Sequence, residues 1–236
     1  CIPLSGWLAD RFGVRNTYFA AIIIFTLASL GCGLSENFNQ LLIFRVIQGI
    51  GGALLLPIGR LAMLKIIPRT QFLSAMSLMS LAGLLGPLMG PTLGGWLVEV
   101  ATWHWIFLIN LPMGILGILV TFKAMPNSKE KYVKPFDFLG FILLTIAMVG
   151  LSLGIEQASN QNSTLWMSLA LVLIGLIASA YYAYHAHTHH NALFRSDLFK
   201  NKIYAIGIAG NFFARFAGNA MPFLMPLMLQ VAFGFA

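Results

Sequence analysis

The sequence predicts an all-α polytopic membrane protein, and three observations predict it. Hydrophobic residues make up 58% of the 236 residues and charged residues only 9%, where a soluble domain carries about a quarter charged. The apolar stretches between charges are helix-sized, unlike the roughly ten-residue alternating segments of an outer-membrane barrel. A helix satisfies its backbone donors and acceptors from within, as a segment in hydrocarbon must. The third observation is where the basic residues fall. Of fourteen Lys and Arg residues, twelve lie in one alternate set of loops, and the opposite set, around Glu36, Glu99 and Glu156, has none. Under the positive-inside rule the basic loops face the cytoplasm. The net charge of +7 therefore reports topology, and no nucleic-acid partner is expected.

Seven candidate spans follow in order, each near or above the ~20 residues that crossing requires. The first, 17–34, leaves a charged loop and stays uncharged to Glu36; the second, 38–59, contains a single charge, Arg45. The third, 72–98, lies within an uncharged run and holds four glycines and two prolines in the stretch GPLMGPTLGG. The fourth, 105–122, opens on Trp at a membrane interface. The fifth and sixth, 138–155 and 165–184, bracket Glu156; the seventh, 203–230, carries prolines and is expected to break near 221–226. Cys1 and Cys32 imply no disulfide framework. The apolar opening CIPLSGWLAD and the ending VAFGFA read as an internal piece of a longer, transporter-sized protein, with a naturally short product as the alternative.

Four constellations carry chemistry. In the first loop, Gly6 and Gly13 permit a tight turn, and Asp10 is expected to accept from a helix N-terminus, where a carboxylate is favoured. Arg11 and Arg15 complete it, and a plain charged turn is the alternative. Arg45 costs at least about 2.5–3.5 kcal/mol mid-span, so it must face a partner or a wet cavity. Gln48 lies one turn on, on the same face. Arg45 is either a structural cation satisfied by carbonyls or a proton-relay or substrate-site charge. Gly86, Gly90 and Gly94 recur every four residues, with Gly95 beside them, giving a smooth face for close helix approach. Pro87 and Pro91 each delete a backbone donor and bend the helix. The segment WHWIFLINLPMG, 103–114, reads as an aromatic belt and contains Asn110. No carboxylate lies deep in any span, which leaves Asp137 or Glu156 at span ends, or helices outside this chain, to titrate. His185, His187, His189 and His190 read as a polar loop, with adventitious metal binding as the alternative. Arg215, with Asn211 one turn earlier, either lines a substrate path or pairs with another helix.

These motifs carry a family resemblance along essentially the whole chain. GWLADRFGVR resembles the loop motif G-x-L-A-D-R-x-G-R-[KR] of the major facilitator superfamily, with Val14 in place of the usual basic residue. The run Arg45-x-x-Gln48-Gly49-x-Gly51-Gly52-Ala53 resembles the superfamily's fourth-helix motif R-x-x-Q-G-x-G-A-A, which is implicated in proton coupling. Gly86, Pro87, Gly90, Pro91, Gly94 and Gly95 resemble the fifth-helix motif of proton-coupled antiporters. The 103–114 segment resembles one opening the sixth helix of drug:proton antiporters, and Asp137-Phe138-Leu139-Gly140 points to their fourteen-helix branch.

The resemblance implies a partial facilitator fold. Residues 1–124 would be the rest of the N-terminal bundle, 125–202 two extra linker helices, and 203–236 the first helix of the C-terminal bundle. It implies a non-enzymatic secondary transporter in a bacterial inner membrane, exporting amphipathic small molecules against inward proton flow by rocking of two bundles. Gly6, Asp10, Arg11, Gly13 and Arg15 would form a conformational latch, and Arg45 with Gln48 would couple protons. Gly86, Pro87, Gly90, Pro91, Gly94 and Gly95 would form the antiporter interface, and Asn110, Asn211 and Arg215 would line the substrate path. The expected partners are the cargo, protons and the bilayer. The proton gradient stands in for any cofactor, no metal is expected, and membrane-fusion or outer-membrane partners are left open. A facilitator for a specific metabolite or organic anion, or a truncated non-transporting membrane protein, are the alternatives.

Overall fold

The computed structural model describes residues 2–125, 127, 129–130, 132–133, 135–159, 165–189, 192–193 and 201–233. Among them every regular element is an α-helix: α1 (Ile2–Phe12), α2 (Val14–Gly33), α3 (Phe38–Ile66), α4 (Phe72–Val100), α5 (Trp105–Leu108), α6 (Asn110–Ala124), α7 (Phe138–Ser159), α8 (Leu165–Thr188) and α9 (Lys202–Phe233). Five segments are long and apolar enough to cross a membrane: Val14–Gly33, Phe38–Ile66, Trp105–Ala124, Phe138–Ser159 and Leu165–Thr188. Phe72–Gly86 qualifies as a shorter apolar helix. All seven expected spans are thus helical, and five of them meet both criteria among the described residues.

Three local expectations are corrected. The run 105–122 is two helices with a turn at Ile109, because Pro112 has no N–H for the carbonyl of Leu108. The first charged loop is mostly helix: α1 runs through Phe12, and Gly13 alone separates it from α2. The last run does not break near 221–226, since α9 is continuous from Lys202 to Phe233. Helix α4 likewise runs unbroken through Pro87 and Pro91. Each proline deletes one hydrogen bond, but abandoning the helix in hydrocarbon would orphan many more.

The chain divides into two compact units, Cys1–Phe136 and Asp137–Ala236. In the first, α2 is the hub, packing against α1, α3, α5 and α6. Its core is made of Ala9, Val14, Ala21, Leu54, Ile58 and Ala62. Half of these are alanines, as expected where lipid removes the hydrophobic drive between helices and close packing must hold them. Helix α4 touches this unit chiefly through α5 and α3.

In the second unit α7 and α8 pack along each other at glycines. An added Cβ on Gly150 would lie 3.0 Å from Leu171 O, and one on Gly175 2.9 Å from Leu151 N. Ser168 donates to Gly154 O at 2.6 Å. One end of the pair is closed by Asp137. Its Oδ1 accepts from Gly140 N at 2.9 Å, capping α7, and from His185 Nε2 at 2.9 Å. Both side chains are less than a tenth exposed. His189 stacks on His185 with centroids 4.2 Å apart. The histidine run was expected to be a polar loop, but His185 and His187 belong to the last turn of α8, and His190 lies outside the described residues. Among those residues no group of three or more His, Cys, Asp or Glu converges as a metal site.

Asp137 Oδ2 is buried without a partner among the described residues, so Oδ1 carries the pairing. His185→Phe is expected to destabilise the α7–α8 pair by about 2 kcal/mol, the cost of taking one hydrogen bond from a buried carboxylate. Urea unfolding of the purified protein should show it, and an unchanged midpoint would count against the pair as a structural clasp.

Candidate functional site

The site is built outward from α3. Asn37 caps the helix by accepting from Gln40 N at 3.0 Å, which starts the turn that presents Arg45 and Gln48 three residues apart on one side. At Gly51 the backbone of α2 comes so close that an added Cβ would sit 2.7 Å from Phe25 N and 2.9 Å from Ala21 O. That approach sets Gln48 against Ser29 of α2. Gln48 Nε2 donates to Ser29 Oγ at 2.6 Å, and Arg45 Nη1 donates to Gln48 Oε1 at 3.3 Å. Ser29 is fully buried and Gln48 nearly so, while Arg45 keeps an exposed side. The Arg45 guanidinium carbon lies 4.4 Å from the centroid of the Phe107 ring, a cation–π placement. Helices α3 and α5 therefore meet at one cation, and α2 is linked to it through Gln48.

Phe107 is placed by the segment before it. His104 Nε2 donates to Ser35 O at 3.2 Å, and Trp103 stacks on His104 with centroids 3.7 Å apart. The 103–114 segment was expected to act as an aromatic belt. Trp103 and Trp105 are exposed as a belt requires, but Phe107 is buried and faces Arg45. Sequence reasoning missed Ser29 and Phe107 as site members. A serine well inside an uncharged run was the available signal for Ser29, shared with Thr26 on the same helix; for Phe107 there was none, since nothing in its run separates it from lipid-facing aromatics.

The predicted latch residues are brought together only in part. Asp10 was expected to cap a helix N-terminus, but α2 is capped by Gly13 with no side-chain hydrogen bond. Asp10 Oδ1 instead lies 3.6 Å from Lys65 Nζ at the end of α3, and Lys65 also donates to Glu130 Oε1 at 3.1 Å. Glu130 N donates to Asp10 O at 3.2 Å, tying the segment after α6 to the end of α1. Asp10 sits in the last turn of α1, so its partner is a cation rather than free amides. Arg11 covers the Trp7 ring at 4.9 Å and Arg15 the Phe122 ring at 5.4 Å. Gly6 is a helical residue of α1 and makes no turn.

Gly13 makes the turn alone, with φ 93° and ψ 147°, a region essentially restricted to glycine. A Cβ there would also strike the Asn127 side chain. Gly13→Ala is expected to cost about 2 kcal/mol of strain, read as a lower unfolding midpoint; an unchanged midpoint would show that the turn relaxes freely.

Gly86, Gly90, Gly94 and Gly95 present an open face: among the described residues, no atom beyond the helix's own backbone and each glycine's chain neighbours lies within 4 Å of an added Cβ. The side chains of Pro87 and Pro91 lie outside the described residues. Asn110 stands half-buried at the start of α6. In the second unit Arg215 Nε donates to Asn211 Oδ1 at 2.8 Å, and both are exposed. A further feature escaped the sequence reading. An almost wholly apolar cleft of about 350 Å³ opens beside α2, α3 and α6, lined by Tyr18, Met63, Met79, Thr121 and Met125 among others.

Comparison with known proteins agrees with this architecture. The family model for the Major Facilitator Superfamily matches residues 1–236. A protein of Salmonella dublin named "Putative multidrug resistance protein MdtD" is 46% identical over 235 residues. Proteins of the same name from Escherichia coli and Yersinia pestis are 45% and 47% identical. In each case the match takes in 100% of this chain and 50% of the relative, so the chain spans half the length of the curated relatives it matches. With the family model matching its whole length and five helices long and apolar enough to cross a membrane, the chain belongs to the major facilitator superfamily and is a multi-pass membrane protein.

Proposed function

We propose that the full-length protein is a proton-coupled antiporter exporting amphipathic small molecules across a bacterial inner membrane, with its basic loops in the cytoplasm. The observation that carries the reading is α4. Its helix stays continuous through two prolines, and its glycines leave a face open for close approach by another helix. Such a face suits a tight, ion-excluding interface, and the relatives named as multidrug resistance proteins support the cargo class. The apolar cleft suits the nonpolar part of such a cargo, since methionines such as Met63, Met79 and Met125 adapt to varied shapes. Arg45 with Gln48 couples protonation to conformation. Gly6, Asp10, Arg11, Gly13 and Arg15 act as the latch, with Lys65 as the partner of Asp10. Asn110, Asn211 and Arg215 line the path, and the titrating carboxylate lies in helices outside this chain. The proton gradient is the driving force, and no bound cofactor enters the cycle.

Inverted membrane vesicles with the full-length protein test this. Energised vesicles should accumulate ethidium, a protonophore should stop it, and each transport event should move protons the opposite way. Accumulation that survives the protonophore would overturn proton coupling.

One observation favours a second reading. The charges inside the apolar runs are Arg45 and Arg215, with no acid among them, and a cation held within a span suits an organic anion. Competition of small carboxylates, but not ethidium, for transport would select this reading over drug export.

A further inference from the structure

We propose that Ser29 is a positioning residue that aims Arg45 by fixing the orientation of the Gln48 amide, an inference resting on the reading of Arg45 as the coupling residue. The argument follows from donors and acceptors. A guanidinium can only donate, so the amide group facing Arg45 has to be the oxygen. The amide nitrogen is thereby turned toward α2, where it needs an acceptor. Ser29 Oγ supplies it at 2.6 Å, and Gln48 Oε1 is left facing Arg45 Nη1 at 3.3 Å.

Ser29 also differs from five other helix hydroxyls among the described residues, and resembles Ser168 in bonding across a helix interface. Thr17, Ser77, Thr121, Thr145 and Ser179 each fold back onto the carbonyl four residues earlier. Ser29 instead accepts across the α2–α3 interface, where it is fully buried. Gly51, one turn beyond Gln48, brings the α2 backbone near enough for this contact. With an alanine at position 29, keeping the oxygen toward Arg45 would leave the Gln48 amide nitrogen buried without its acceptor, which favours turning the amide. A turned amide would set two donors against each other and release Arg45 from the Phe107 face.

The test reads Arg45 directly and does not depend on transport. In the purified full-length protein with isotope-labelled arginine, Arg45 side-chain protons should be shifted upfield by the Phe107 ring, assigned by their loss in Arg45→Lys. Ser29→Ala should remove that shift and Ser29→Thr should restore it. In a Gln48→Glu background Ser29→Ala should leave the shift in place, because a carboxylate offers oxygen whichever way it is turned. An unchanged shift in Ser29→Ala, or loss in the Gln48→Glu background as well, would overturn the proposal.

Vesicle transport of ethidium gives the second arm. Ser29→Ala should lower proton-driven uptake about tenfold, as expected for losing one hydrogen bond to a charged network, and should add nothing in an Arg45→Ala background. Losses that multiply in the double variant would show that Ser29 does not act through Arg45. Absence of ethidium transport by the unaltered protein would sink the drug-export reading alone, and the ring shift would still decide the role of Ser29.

Discussion

Gly51→Val is expected to pry α2 from α3 and destabilise the first unit by upward of about 3 kcal/mol, at or beyond the usual cost of overpacking. The reason lies in what the new side chain would meet. Already at Cβ the contacts are Phe25 N at 2.7 Å, Ala21 O at 2.9 Å and Phe25 Cα at 3.1 Å. All three are backbone atoms of a neighbouring helix, so no rotamer change relieves them. The branched methyls of valine add to the clash. The helices would have to separate, and α2 is the hub on which α1, α3, α5 and α6 pack. The same separation would break the 2.6 Å bond between Gln48 and Ser29. Gly49→Val is the matched control, because among the described residues no neighbouring helix comes within 4 Å of a Cβ there. Thermal unfolding in detergent should show a large loss for Gly51→Val and little for Gly49→Val. Equal losses would mean that helix propensity, rather than the α2–α3 approach, sets the cost.

Arg45→Ala should abolish most proton-driven transport by the full-length protein while leaving it folded. Hydrogen bonds to charged groups contribute about 1.5–3 kcal/mol, which corresponds to a loss of roughly tenfold to a hundredfold. Removal of the cation also relieves the expense of holding it within a span, so the folded protein should be no less stable. Arg45→Lys is expected to recover little. Lysine keeps the charge, but it lacks the planar fork that lies over Phe107 while donating to Gln48. The decisive measurement pairs substrate uptake with proton flux in the same vesicles. Unimpaired, still-coupled transport by Arg45→Ala would remove Arg45 from the coupling role. Equal loss of stability and transport would instead make it a structural cation.

Much of the architecture was legible because membrane insertion writes its rules locally. Hydrocarbon forces long uncharged runs into helices, and every expected span, from the run after Val14 to the run after Lys202, is helical. Arg45 and Gln48 were legible as a pair because they share a helix face, and their hydrogen bond is present. Asp10 was misplaced for a related reason. Its partner Lys65 is 55 positions away in sequence, and no local pattern encodes that distance. The 221–226 segment was misjudged because proline counts against a helix in water, where a broken helix is rehydrated; in lipid that compensation is missing. His185 was read with its neighbours as a solvated loop, yet Asp137, 48 positions earlier, draws it into a buried pair.

By itself the sequence determined the helices, the alternation of basic loops and the chemical identity of a charge within a span. Each follows from transfer energies and backbone satisfaction that act within one segment. Only the tertiary structure decided what Arg45 and Asp10 touch, that Phe107 and Ser29 belong with Arg45, and that Gly51 is where two backbones meet. Those contacts depend on which faces of separate helices come within a few ångströms, and that is settled by packing between segments rather than within them.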